Sequence, residues 1–315
     1  FLSFLFILVF VSCTSNQSET VETEIEPVDM VYNLLDTENS RWFYFSSACR
    51  PFGMVNLSPD TEIGGAWGSG YRYKTDTVRG FSHIHAWQLS GLSVMPVSLS
   101  DENKENIFAD FDSHFSHETE KVSPGYHYLE LDRYHITAEI TSTTRVGFHK
   151  YTFNGEGKPA LLVNLNTLLG PCLNLDGKLE MIGEKTITGE LTNAPTRRRP
   201  KPTKVFFQID SDVNISQVKK DEETGNYLLL FDERADEVLL KAGISYTSIE
   251  NAGTNIEAEL PHWNFEQVVT ESRKVWNDYL SRIQVEGGTE QQQKRFYTDL
   301  WHGLQGRRII SDVKG

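Results

Sequence analysis

Short runs that alternate between polar and apolar residues recur along most of this chain, and this period of two constrains the fold most. The runs are rich in β-branched and aromatic residues, and turn-forming glycines, prolines and asparagines separate them. The clearest runs are Tyr126–Leu131, 135–140, Val146–Phe153, 160–165, 204–210 and Glu237–Ser245. Successive strand residues point to opposite faces of a sheet, so this pattern predicts half-buried strands. Many short strands with few helices predict a mainly β fold, a large antiparallel β-sandwich over residues 27–250.

The periodicity changes to that of a helix after residue 251. Asn264 with Gln267, and later Thr289 with Gln292, have the spacing of helix N-terminal capping pairs, and glycines at 287–288 separate the two helices. Each helix carries an apolar stripe that a β-sandwich alone leaves without a partner. We therefore expect a further helical domain beyond residue 315 of this sequence.

The composition excludes nucleic acid as a partner. The chain has 315 residues, 38% of them hydrophobic, with a net charge of -14, which repels phosphates. The mean hydropathy of -0.41 is typical of a soluble globular protein. The one basic stretch, 196–202, is short and contains prolines, which favours a surface loop over an anion-binding site.

The first thirteen residues have the character of an export signal. An apolar run ends at Ser12 and Cys13, after which the chain becomes polar. Such a run is too short to span a membrane as a helix, and a cysteine at its end is typical of bacterial lipoproteins. We expect an exported protein, periplasmic or anchored in the outer membrane of a bacterium, lipidated at Cys13 and tethered by the acidic residues 14–26. The alternative is a plain signal peptide with an incidental cysteine.

Two further cysteines, Cys49 and Cys172, allow either a disulfide or two free buried thiols. No cysteine spacing typical of a metal site is present in the sequence.

The segment 50–91 contains most of the side chains capable of ligand chemistry. Tryptophans, tyrosines, arginines and a His-x-His pair lie there among glycines. A pyranose presents an apolar C–H face, which an aromatic ring can cover, and a rim of hydroxyls, which polar side chains can bind. Glycines permit the turns that bring such rings to a surface. The segment therefore indicates sugar binding, although ordinary turn and core structure explains it equally well.

The order of motifs in the chain resembles glycoside hydrolase family 92. The motifs similar to its amino-terminal domain are 28–32, 50–61, 70–73 and 79–85, and those similar to the start of its helical domain are 285–289, 296–298 and 311–313. The resemblance implies a β-sandwich, a helical linker at 251–288, and an (α/α)6 barrel of which 289–315 is the truncated start. It also implies an inverting, calcium-dependent exo-α-mannosidase acting on α-mannoside glycans such as N-glycans.

The family's catalytic acid and base lie in the barrel, so we assign no catalytic residue and no metal ligand to this chain. The calcium ligands are expected largely in the missing carboxy-terminal helical domain. That domain would pack against this chain as its partner. The chain alone is expected to be inactive. Its expected contribution is one wall of the sugar pocket. The candidates for stacking are Trp67, Tyr71 and Trp87, and those for hydrogen bonding are Arg72, His83, His85 and Gln88. Residues 86–88 depart from the commoner family pattern and are candidates for linkage specificity.

Two alternatives remain open. The first is a carbohydrate-binding β-sandwich that holds glycans at the cell surface without hydrolysis. The second is a metal site on His83 and His85, with a third ligand among His114, His117 and His127. We favour one buried histidine with the other facing the cleft, since a two-residue metal motif is weak. The aspartates Asp60, Asp76 and Asp112 are interpreted as turn or capping residues.

Overall fold

The computed structural model of the chain describes residues 25–38, 47–64, 70–86, 88–231 and 235–315. The predicted lipidation site Cys13 lies outside these ranges, as does the predicted tether up to residue 24. Within the described ranges, no helix is long and apolar enough to cross a lipid bilayer.

Seventeen strands form in the described part of the chain. The first nine are β1 (Ser58–Pro59), β2 (Thr77–Val78), β3 (Phe81–His85), β4 (Ser90–Leu99), β5 (Ser113–His114), β6 (Lys121–Ser123), β7 (Tyr126–Leu131), β8 (Ile136–Ser142) and β9 (Val146–Phe153). The others are β10 (Lys158–Asn164), β11 (Leu168–Leu169), β12 (Cys172–Ile182), β13 (Thr186–Asn193), β14 (Thr203–Ser211), β15 (Ile215–Lys220), β16 (Tyr227–Phe231) and β17 (Glu237–Ser245). β7, β9 and β17 begin and end at the residues that the alternation predicted.

The strands form two large sheets and one small ribbon, with antiparallel pairing throughout the described ladders. A six-stranded sheet has the order β1-β3-β4-β10-β16-β15, and a nine-stranded sheet has the order β11-β12-β13-β14-β17-β9-β8-β7-β6. β2 and β5 pair separately. One apolar core joins the large sheets, with Val94 and Leu162 from the first and Ile187 and Phe207 from the second. The predicted antiparallel β-sandwich is therefore confirmed.

The two sheets differ in burial, as their sequences do. In β13 buried and half-buried residues alternate, as expected for a sheet with one face on the core. In β3 every residue is buried, and in β4 all but the last are. Because neighbouring residues of a strand point to opposite faces, this part of the six-stranded sheet is covered on both sides.

Three helices follow the sandwich: α1 (Ile249–Glu259), α2 (Phe265–Leu280) and α3 (Glu290–Gln305). α3 starts with the predicted capping box, in which Thr289 and Gln292 exchange side-chain and backbone hydrogen bonds. Asn264 caps α2 as predicted, but the capping box is not completed: the backbone N–H of Asn264 donates to His262, and the side chain of Gln267 donates to Glu271. The sequence analysis did not separate α1 from α2.

The helices are fastened to the sandwich by close packing. α1 packs on β17, where Gly243 leaves room for it: a Cβ there would lie 2.5 Å from the carbonyl oxygen of Ala252. Trp276 of α2 and Trp301 of α3 pack with ring centroids 6.0 Å apart, in a cluster that also contains Val28 near the amino terminus. The sandwich and the start of the helical region therefore share buried surface.

Cys49 and Cys172 are buried thiols that form no disulfide with each other, which decides between the two alternatives left open by the sequence. Burial raises the pKa of Cys49 to about 12 and that of Cys172 to about 11. Both thiols therefore stay protonated and unreactive at neutral pH.

Candidate functional site

The described residues of the segment 50–91 include β1, β2, β3 and the start of β4, and β1, β3 and β4 are neighbours at one edge of the six-stranded sheet. Two of its predicted stacking residues, Trp67 and Trp87, lie outside the described residues. The remaining five predicted site residues are described, and they fall into different hydrogen-bonded groups.

His83 lies on β3 with no exposed surface. Its Nδ1 is 2.6 Å from the carbonyl oxygen of Leu92, and its Nε2 is 2.9 Å from Nε2 of His149. A carbonyl only accepts, so His83 carries its proton on Nδ1, and its bare Nε2 accepts from His149. The remaining nitrogen of His149 accepts from the hydroxyl of Tyr151 at 2.8 Å. The two imidazoles are therefore both neutral, and their tautomers are set by this chain of hydrogen bonds.

Burial is the main reason why the two imidazoles stay neutral. It lowers the pKa of His83 to about 4 and that of His149 well below its ordinary value. Gly147 makes room for the pair, because a Cβ there would lie 2.6 Å from the ring of His83. His83 is thus part of the interior and presents no nitrogen to a cleft in this chain.

His85 forms a different kind of contact. Its Nδ1 is 2.7 Å from the carbonyl oxygen of Asn56, and its Nε2 is 2.7 Å from Oδ1 of Asp60. Both ring nitrogens therefore lie within hydrogen-bond distance of an oxygen, and Nε2 contacts the Asp60 carboxyl group directly. The hydroxyls of Ser82 and Ser93 also donate to this carboxylate. Asp60 is 3% exposed, so its interpretation as a turn residue was wrong: it is the buried partner of His85.

The expectation that one histidine of the pair faces the cleft was also wrong, since His85 is only 1% exposed. The proposed third metal ligands lie in other contacts. His117 and His127 both bind Glu120, whereas His114 contacts Thr77. Across the described ranges, no group of three or more His, Cys, Asp or Glu side chains is placed to hold a metal ion.

Tyr71 is buried beside Glu120. Its hydroxyl donates to Oε2 of Glu120 at 2.9 Å, and burial together with that carboxylate raises the pKa of the phenol. Glu120 also accepts from His117 at 2.6 Å and from His127 at 2.7 Å. Burial opposes the ionisation of Glu120, but these hydrogen bonds hold its pKa below the ordinary value. Because Tyr71 is 2% exposed, its ring has no free face for stacking in this chain.

Arg72 and Gln88 lie closer to the surface. The backbone N–H of Arg72 donates to Thr61 at 2.7 Å, and burial lowers the pKa of its guanidinium. Gln88 is half-buried. Its side-chain oxygen accepts a hydrogen bond from the hydroxyl of Thr196, and its backbone oxygen accepts one from Nε of Arg199 at 3.0 Å. The basic stretch 196–202 thus packs against the residue that follows Trp87.

Arg199 also donates to the backbone oxygen of Ala194 at 2.6 Å and to the hydroxyl of Thr203 at 3.0 Å. Its guanidinium holds a loop together, as the surface-loop interpretation of this stretch requires. Through Gln88, this loop supports the predicted specificity region at 86–88.

The end of the chain docks directly on the segment 50–91. Phe52, whose φ of 58° is rare for a residue other than glycine, donates to the backbone oxygen of Leu304 and accepts from the N–H of Ile309 at 2.9 Å. The guanidinium of Arg308 donates to the backbone oxygen of His85. Asp312 is held by Ser245, Thr247, Asn251 and Asn255. The segment with the candidate residues therefore lies at the junction between the sandwich and the helical region.

Sequence models of one family match both parts of the chain. The N-terminal domain of glycosyl hydrolase family 92 matches residues 30–255, and the catalytic domain of that family matches residues 251–315. No curated protein matches the chain.

Several solved structures share the fold. A family 92 α-mannosidase from Bacteroides thetaiotaomicron superposes with a TM-score of 0.80 at 22% identity, over 93% of this chain and 43% of that chain. The same enzyme in complex with mannoimidazole gives 0.78 at 22%, over 92% and 41%. A family 92 inverting mannosidase from Bacteroides thetaiotaomicron VPI-5482 gives 0.76 at 22%, over 92% and 41%. This chain thus spans less than half the length of these structures.

Proposed function

Because the chain belongs to glycosyl hydrolase family 92, we propose that it is the amino-terminal part of an exported exo-α-mannosidase. The whole protein would hydrolyse α-mannosidic bonds of N-glycans or other mannosides with inversion and with the help of calcium. This chain would form one wall of the sugar pocket.

The observation that carries the proposal is the junction between the two matched domains. Phe52 and His85, both in the motifs of the segment 50–91, bond to residues 304–309, which lie in the part that matches the catalytic domain. Ligand pockets often form at domain interfaces. A sugar held at the catalytic domain would therefore meet this segment, in whose sequence the predicted platforms Trp67 and Trp87 also lie.

The contacts of Asp60 and Glu120 favour a role in holding neighbouring side chains in place over a role in catalysis. An inverting glycosidase needs one carboxylic acid for the leaving oxygen and one carboxylate that activates water. Asp60 and Glu120 are both buried and already accept several hydrogen bonds from their neighbours. We therefore expect both catalytic groups in the barrel. This chain alone should not hydrolyse mannosides.

Calcium binding is part of the proposal for the whole protein. A hard cation that takes oxygen ligands is suited to holding sugar hydroxyls. The described residues do not supply a set of three ligands, so no step is assigned to the ion in this chain.

The decisive experiment is hydrolysis of α-linked mannobioses by the full-length protein, with and without a chelator, next to this chain alone. The expected result is mannose release by the full-length protein, loss of that activity with the chelator, and none from the chain. Binding of mannosides without any hydrolysis by the full-length protein would instead favour the carbohydrate-binding alternative.

Export and lipidation at Cys13 belong to the same proposal and are tested separately. Fatty-acid labelling in a bacterial host should mark the wild-type protein and be lost in Cys13→Ser. Equal labelling of both proteins would exclude Cys13 as the anchor.

A further inference from the structure

A cavity of about 290 Å³ opens beside Asp60, where β3, β4 and β10 lie next to each other. Asp60, Ser82, Ser93 and Asn164 form a polar floor, and Ile63, Phe111, Leu168 and Leu169 form the apolar lining. Four further polar residues also line the cavity: Arg79, which pairs with Asp112 at 3.4 Å, and Asn166, Thr167 and Asn226. None of the functions discussed above uses this space.

Strand register places three residues of the polar floor in one row. Ser58 pairs with Ser82, Ser82 with Ser93, and Ser93 with Asn164, so four neighbouring strands place a polar residue in one row. All four residues are at most 5% exposed. A row of buried polar side chains is unusual in a strongly apolar sheet, where aliphatic residues would pack with less desolvation.

One atom of this floor has no partner. Oδ1 of Asn164 is buried and accepts no hydrogen bond from the described residues. Nearly all buried acceptors in folded proteins are satisfied by protein, water or ligand, because an unsatisfied one is costly. The Asp60 carboxylate and the serine oxygens beside it add acceptor capacity, so the floor is complementary to a molecule rich in hydroxyl donors.

The apolar part of the lining has the opposite character. Phe111 and Leu169 line the sides, and Ile63 and Leu168 at the mouth are 37% and 47% exposed. The N–H of Gly170 donates to the backbone oxygen of Ile63 at 2.9 Å and joins the two sides of the mouth. An apolar wall above an acceptor-rich floor matches the C–H face and the hydroxyls of a pyranose.

We propose that this cavity binds one neutral sugar residue, with its hydroxyls donating to Asn164 Oδ1 and to Asp60. The volume is at the lower limit of small-molecule pockets, roughly 300 Å³, and suits a single ring rather than a longer glycan. A bare metal ion fits less well, because Asp60 is the one carboxylate among the described residues that line the cavity. The proposal does not depend on hydrolysis, because it concerns binding alone.

The test is binding of D-mannose and D-glucose to the whole 315-residue chain, measured by calorimetry and by ligand-detected NMR. A pocket of this size is expected to bind one of the two hexoses with a Kd of about 1–10 mM. Asn164→Leu keeps the side-chain volume but removes the acceptor, and should weaken binding at least about tenfold. Thermal unfolding of this variant checks that it folds.

A second pair of variants does not touch the interior. Leu168→Trp should close the mouth and abolish binding. Leu173→Trp is the matched control, because Leu173 is the register partner of Leu168, is 43% exposed, and does not line the cavity. Binding that is lost in Leu168→Trp and kept in Leu173→Trp supports the proposal. Absence of hexose binding, binding that survives both Asn164→Leu and Leu168→Trp, or binding of calcium in place of sugar would overturn it.

Discussion

The buried imidazole pair of His83 and His149 should make the protein sensitive to mild acid. In the native state both rings are neutral, because His83 donates to Leu92 and accepts from His149. A proton added to His83 would have to replace the hydrogen bond from His149 by a contact between two donors. His85 also lies nearby, and its electrostatic interaction with His83 lowers the pKa of His83 further.

The size of the effect follows from the pKa difference between the two states. Folding lowers the pKa of His83 from 6.5 to about 4, which corresponds to about 3 kcal/mol at about 1.4 kcal/mol per pH unit. Between these values the unfolded chain binds the extra proton, so the free energy of unfolding falls as the pH falls. The contribution of the neutral His83 ring to the free energy of unfolding is fully present above pH 6.5 and is lost by about pH 4. His302, whose pKa is also lowered to about 4 by burial, adds in the same direction.

The measurement is urea unfolding followed by tryptophan fluorescence between about pH 7 and pH 4.5. His83→Asn keeps a donor for Leu92 but removes the titrating ring, so its stability should depend less steeply on pH than that of the wild type. The matched control is His114→Asn, since the His114 side chain is 70% exposed. This control should follow the wild-type slope.

Two results would refute the reasoning. One is an identical pH slope for the wild type and His83→Asn. The other is an NMR titration in which the native His83 ring takes up its proton near pH 6.5, as an exposed imidazole does.

The packing of the helices predicts the effects of two substitutions, and the proposed sugar pocket at the domain junction predicts the effect of a third. Gly243→Ala should displace α1, because the new Cβ would lie 2.5 Å from the Ala252 oxygen, and should lower the free energy of unfolding by about 1–3 kcal/mol. The control Gly303→Ala, in open space on α3, should be neutral or stabilising in the same urea titration. Asp312→Ala leaves several donors unpaired and should make the peptide bonds after residue 305 more sensitive to limited proteolysis; an unchanged cleavage pattern would contradict this. Trp87→Ala in the full-length protein should lower kcat/KM for mannosides by a factor that corresponds to about 1 kcal/mol, with an unchanged melting temperature; unchanged kinetics would remove Trp87 from the site.

Much of the secondary structure could be predicted because it depends on neighbouring residues. β7, β9 and β17 have the bounds that the alternation predicted, and α3 begins at the capping pair seen in the sequence. The family resemblance is confirmed by matches over residues 30–255 and 251–315. Local periodicity and ordered motifs were sufficient for these conclusions.

The contacts of the candidate site could not be predicted in the same way. His85 and Asp60 are 25 residues apart and meet only because β1 pairs with β3. Glu120 accepts hydrogen bonds from Tyr71, His117 and His127, and no sequence motif indicated this role. The roles of Trp67, Trp87 and Gln88 in sugar binding stay predictions.

The order of strands and helices, the capping residues and the family are thus properties of the sequence, because each depends on residues close together in the chain or on motifs in a set order. The tertiary structure alone decided that Cys49 and Cys172 stay apart, that both His83 and His85 are buried, and that a polar row ends at Asn164. The physical reason is that alternation specifies which face of its own strand a side chain takes. The residue that this side chain contacts on another strand is set by the register of strands that are distant in sequence. That register is established only when the whole core packs.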